Sequence, residues 1–128
     1  MEKQIIHTAD APAPIGPYSQ AVRAGNILFI SGQIAINPAT NKLIMDNIAL
    51  ETEQVMKNLK AILETAGSSF AQVVKTGIFL SDMSHFGTVN EVYSQFMVEP
   101  YPARETVAVK GLPRNVNVEI SMIALIPA

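Results

Sequence analysis

The chain has no cysteine and no tryptophan among its 128 residues. A disulfide framework, a thiolate nucleophile and the thiolate zinc sites are thereby excluded. Its two histidines, His7 and His85, lie far apart, which argues against a histidine metal site, and both read as ordinary surface residues. Charge is scarce as well: 16% of residues are charged, with Lys plus Arg 9 against Asp plus Glu 11 and a net charge of -2. That balance argues against a nucleic-acid partner. No window approaches the roughly 18 unbroken apolar residues of a membrane span. The first residues, Met1-Glu2-Lys3-Gln4, hold no signal-like apolar stretch, so no membrane partner and a cytoplasmic location are expected. The motifs for nucleotide binding, zinc-dependent hydrolysis and serine hydrolysis are missing too, and no metal or organic cofactor is called for.

What is present fits one domain over residues 1–128. The Pro-rich piece from Ala11 to Pro17 lies near one end and reads as a rigid loop. Ala21 to Ala24 and Ile27 to Gly32 flank Gly25-Asn26, a pair able to take positive φ, which predicts a hairpin. After turn-forming Asn37 to Asn41, apolar Val55, Met56, Leu59, Ile62, Leu63 and Ala66 follow helical spacing. That helix is expected to stop at Gly67. Val73 to Leu80 reads as a strand, and Phe86, Val89, Tyr93, Phe96 and Met97 as a second helix stopped by Pro100 and Pro102. Glu105 to Lys110 and Val116 to Ile126 are expected as two closing strands, separated by a turn at Gly111-Leu112-Pro113.

This order suits an α+β domain, a mixed sheet with both helices packed on one face. Several strands are nevertheless apolar on both sides, among them Ile27-Leu28-Phe29-Ile30, Ile78-Phe79-Leu80 and Met122 to Ile126. Two helices cover one face only, and 48% hydrophobic residues leave little polar material to coat a small isolated domain. The other face is therefore expected to meet a copy of itself, with sites at the seams.

Chemistry must come from polar residues set where strand patterns want apolar ones, or beside rigid turns. Arg104 follows Tyr101-Pro102-Ala103 at the opening of a strand, where its planar fork of donors suits a small carboxylate. Read alone, it is more often an arginine solvated at a strand end. Glu119 lies within Val116 to Met122, where alternation puts it with Asn117 and Ser121 and leaves Val118, Ile120 and Met122 opposite. A carboxylate there is fit to position water or accept its proton, or else it faces solvent from an edge strand. Tyr18-Ser19-Gln20 and Ser31-Gly32-Gln33 offer hydroxyls and a phenolic wall. Asn90-Glu91 on the second helix is a weaker candidate.

Taken together, Gly16-Pro17-Tyr18-Ser19-Gln20-Ala21, Ile30-Ser31-Gly32-Gln33-Ile34, Val89-Asn90-Glu91-Val92-Tyr93, Pro102-Ala103-Arg104 and Val118-Glu119-Ile120 resemble the signatures of the Rid family, the reactive intermediate deaminases, and its RidA branch in particular. The same family is known for L-PSP endoribonucleases and translation inhibitors. The resemblance implies a chorismate-mutase-like domain, related to ferredoxin-like folds, assembled as a homotrimer with intersubunit clefts. It implies hydrolysis of 2-imino and enamine acids to 2-oxo acids and ammonia without a cofactor. Arg104 would bind the substrate carboxylate and Glu119 would orient water, while Tyr18, Ser31, Gly32, Asn90 and Thr106 match other pocket positions. One departure stands out: Glu105-Thr106 occupies the place where family members often carry Ser-Cys. The alternatives are a trimer that binds 2-oxo acids for regulation without chemistry and, less favoured at a net charge of -2, an endoribonuclease.

Overall fold

The computed structural model describes residues 2–128. Gly25, at φ +62, closes a two-residue turn between β2 (Ala21–Ala24) and β3 (Ile27–Gln33), with Ala24 opposite Ile27 as the glycine-bearing turn predicts. β1 (Lys3–Ile6) pairs antiparallel with β2 and was not expected from sequence. It is short and unpunctuated, and only its partner gives it a ladder. A small ribbon of β4 (Ile36–Asn37) and β5 (Lys42–Leu43) brackets the Asn37 to Asn41 turn.

Helix α1 spans Ile48–Thr65 and is capped at its start by Asn47, whose side chain accepts from the Leu50 N–H at 2.8 Å. It ends as its glycine predicts. Gly67 takes φ +81, its N–H reaches the Glu64 carbonyl, and the Ser68 N–H reaches that of Leu63. β6 (Val73–Leu80), α2 (Phe86–Phe96) and β7 (Ala103–Ala108) follow, then β8 (Val118–Leu125).

The six-stranded sheet runs β1-β2-β3-β8-β6-β7, antiparallel throughout except that β6 and β7 are parallel. The turn at Gly111-Leu112-Pro113 therefore does not join sheet neighbours. β7, mostly exposed, takes the edge after the α2 crossover, and β8, with Val118, Ile120, Met122 and Ala124 buried, inserts between β3 and β6. Those four residues, with Leu28, Ile30, Ile78 and Leu80, face the helices and bury Met56, Leu59, Ile62 and Val89. The opposite face has no helix. It presents Ile5, Ile27, Phe29, Val107 and Leu125, and Phe29 is 46% exposed. Among the described residues no helix is long and apolar enough to cross a membrane.

Candidate functional site

The candidate residues gather at two separate cavities of about 430 Å³ each. The first forms where β3 meets β8. Ile30 faces Met122 while Gln33 faces Ile120, so β3 carries one extra residue, a bulge at Ser31-Gly32. The bulge turns Ser31 and Gly32 toward the Glu119 side chain. Gly32 is needed for space, because a Cβ there would lie 2.8 Å from the Glu119 carboxyl carbon and 3.0 Å from its Cγ. β8 is an interior strand, so Glu119 does not stand on an edge. Burial raises its proton affinity above that of an ordinary glutamate.

Tyr18 walls the same cavity at the end of the Pro-rich loop. That loop is tied down by Gln20, buried to 2% exposure. Its Nε2 donates to the carbonyls of Thr8 at 3.0 Å, Ala11 at 3.2 Å and Pro12 at 2.9 Å, and its Oε1 accepts from the Thr8 N–H at 2.8 Å. Ser31 ties the bulge to this loop: its Oγ donates to the Ser19 carbonyl at 2.6 Å and its N–H to that of Gln20 at 2.9 Å. The clamp escaped the sequence reading, because its partners are 8 to 12 residues from Gln20 and carry no motif.

The second cavity lies between α2 and β7 and holds Asn90 and Arg104. Arg104 pairs in register with Thr76 and so points to the helix side of the sheet. Its guanidinium carbon lies 5.5 Å from the Phe86 ring centroid and 5.3 Å from that of Tyr93. Asn90 Oδ1 accepts from its Nη1 at 2.6 Å. Phe86, Asn90 and Tyr93 are spaced i, i+4, i+7, one stripe of α2, and they hold the fork by its faces and one corner. Arg104 is thus exposed yet oriented, leaving its remaining donors for a ligand. The Tyr93 hydroxyl donates to Thr76 Oγ1 at 3.0 Å. Burial raises the Tyr93 pKa, opposed by that bond and by the Arg104 charge.

Thr106 lines neither cavity of the protomer, and its Oγ1 is buried without a hydrogen-bond partner. The sequence marks Phe86 and Tyr93 only as positions of a helix, although their spacing around Asn90 is visible, and it does not single out Arg114, which lines the Glu119 cavity. No cluster of three or more metal-ligating side chains occurs among the described residues.

Half-exposed Glu119 in a bulged seam and a stacked arginine on a crossover strand sit on a fold that comparison with known proteins places in a family. Residues 8–126 match the family model described as endoribonuclease L-PSP, and the chain belongs to this family. It is 50% identical to a RutC family protein of Pyrococcus horikoshii, over 95% of this chain and 97% of that one. It is 45% identical to the 2-iminobutanoate/2-iminopropanoate deaminase of Dermatophagoides farinae, over 97% of each. The crystal structure of RidA from an Antarctic Psychrobacter superposes with a TM-score of 0.92 at 46% identity, covering 96% of this chain and 99% of that one. The relatives thus include named Rid proteins and imino-acid deaminases.

Proposed function

We propose that this protein hydrolyses 2-imino acids and their enamine tautomers, 2-aminoacrylate/2-iminopropanoate and 2-iminobutanoate, to 2-oxo acids and ammonia. The observation that carries the reading is the Arg104 guanidinium, over the rings of Phe86 and Tyr93 and bonded to Asn90, with donors to spare. A carboxylate gripped by such a fork presents the adjoining C=N carbon in a fixed direction. Glu119 orients a water and accepts its proton as the oxygen bonds to that carbon, giving a carbinolamine. The amine then takes a proton, the C–N bond breaks, and ammonia leaves as the C=O forms. A protonated imine is already electrophilic, so the scheme calls on no metal or organic cofactor. The raised proton affinity of Glu119 suits a group that must both take and return a proton.

Arg104 and Glu119 line different cavities of one protomer, so this chemistry requires a neighbouring copy to bring the Arg104 cavity of one chain against the Glu119 cavity of the next. The apolar sheet face supplies the surface for a homotrimer with three such seams. Tyr18, Ser31 and Gly32 then wall the substrate from one chain and Asn90 from the other, with Thr106 beneath Arg104. A cytoplasmic setting, where pyridoxal-phosphate dehydratases release such imines, completes the reading.

The test is a coupled assay in which threonine or serine dehydratase generates the imine in situ and 2-oxo acid and ammonia are followed. The wild-type protein should speed their appearance, and Arg104→Lys, which keeps the charge and discards the fork, should lower kcat/KM by at least about tenfold. Appearance at the protein-free rate would leave a binder of 2-oxo acids without chemistry.

A further inference from the structure

The polar groups of the Glu119 cavity are mostly committed to other partners. The Gln20 amide is occupied by the loop, Ser31 Oγ by the Ser19 carbonyl, and Gln33 Nε2 by the Ser31 carbonyl at 3.0 Å. Tyr18 Oη accepts from the Ile15 N–H at 3.4 Å and keeps its own proton. Besides Glu119, that hydroxyl and the second N–H of the Gln33 amide, the side chain with free donors that lines the cavity is Arg114, the one cation in its wall. Among the described residues the ion pairs are Lys57–Glu53 and Lys75–Glu105, so Arg114 has no carboxylate partner, Glu119 included. The rest of the wall is largely apolar, with Pro12, Ile15, Ile34 and Ile36.

The backbone at this position is unusual. Arg114 lies at φ +56, ψ +24 and Asn115 at φ +57, successive left-handed residues without a glycine. The turn is held by the Asn115 N–H on the Leu112 carbonyl at 3.1 Å and the Val116 N–H on that of Pro113 at 3.3 Å. Glycine or asparagine takes this conformation readily and arginine does not. Arg114 is exposed at the wall of the cavity, and a cation held there on a left-handed backbone without a counter-ion marks a place for an anion.

We infer that Arg114 is the anchor for a second acidic group on the ligand, so that the site favours dicarboxylic 2-imino acids over monocarboxylic ones. The inference rests on reading the cavity as a 2-imino acid site. There Arg104 of the neighbouring copy takes the carboxylate beside the imine, and Arg114 takes the distal one across an apolar wall that fits the methylenes between them.

The stable products serve as probes. Calorimetric titration of wild type, Arg114→Asn and Arg114→Lys with 2-oxoglutarate and with 2-oxobutanoate reads the preference directly. Asparagine suits the left-handed backbone, so the variant removes the charge and keeps the turn, which thermal melting verifies. The wild type should bind the diacid about tenfold or more tightly than the monoacid. The ratio should fall to near one in Arg114→Asn and remain mostly intact in Arg114→Lys. Equal wild-type affinity for the two acids, no diacid binding at all, or a ratio untouched in Arg114→Asn overturns the assignment. Diacid binding that Arg114→Asn weakens to the level of the monoacid upholds Arg114 as an acid anchor even if imine hydrolysis is absent, so failure of the deaminase reading shows separately.

Discussion

Glu119 owes its raised proton affinity in the protomer to burial. The sign of the resulting pH dependence follows. A carboxyl whose folded pKa is raised binds more protons in the native state than in the unfolded one between the two pKa values. Stability is therefore lost as pH rises through that window. Glu119→Gln removes the charge and its burial cost while keeping the shape. The variant should match wild type in acid, below the unfolded glutamate pKa, and become the more stable of the two as pH rises past the folded one. Urea midpoints across a pH series read this, and a constant difference at all pH values would contradict it. The turnover of the same variant should drop. At this scale sequence was informative where a polar residue broke a pattern: Glu119 in an alternating strand and Arg104 after a proline stood out. Asn90 was the weakest of the candidates, because its contact with Arg104 shows only once Arg104 Nη1 lies 2.6 Å from its oxygen.

The elements hold these side chains through bonds that span the chain. Glu51, fully buried in the first turn of α1, accepts from the Asn117 N–H at 2.7 Å, from Asn117 Nδ2 at 3.0 Å and from the Val118 N–H at 3.1 Å. One carboxylate thus fixes where β8 begins, at Val118, one residue before Glu119. Asn117 also receives the Ser81 hydroxyl at 2.9 Å, and its carbonyl the Ser81 N–H, so the end of β6 is pinned to the same point. Glu51→Ala leaves two backbone N–H groups without partners in a buried place, each costing about 1–3 kcal/mol. Loss of about 3 kcal/mol in denaturant unfolding is expected, together with reduced turnover from a loosened Glu119; a loss within about 0.5 kcal/mol would show that water replaces the carboxylate. Periodicity revealed both helices and the central strands. It hid Glu51, which reads as one more polar residue at a helix start, and it hid the parallel placement of β7, because strand pairing is decided by the α2 crossover rather than by the Gly111-Leu112-Pro113 turn.

For the whole molecule, the decisive feature is that Glu119 and Arg104 line different cavities. In one protomer the oriented guanidinium and the half-buried carboxylate line different walls, and the sheet face bearing Phe29 and Leu125 is bare. The bare face was legible as strands apolar on both sides; the separation of Glu119 and Arg104 into two cavities was not, since no local pattern tells which side of a sheet edge a cavity will open on. A shared site makes a prediction that a self-contained one does not. Arg104→Ala and Glu119→Gln should each turn over slowly alone, yet each keeps the half that the other lacks. Unfolded together, refolded and mixed at random, a seam receives an intact Glu119 from one parent and an intact Arg104 from the other in roughly a quarter of cases. The mixture should therefore recover about a quarter of the wild-type rate in the dehydratase-coupled assay, at the mass of three chains by light scattering. Mixing the intact oligomers without unfolding should recover little until the chains exchange. A mixture that stays inactive after chain exchange has been demonstrated would place both groups within one protomer's reach of the substrate, and the trimer would then be scaffold alone.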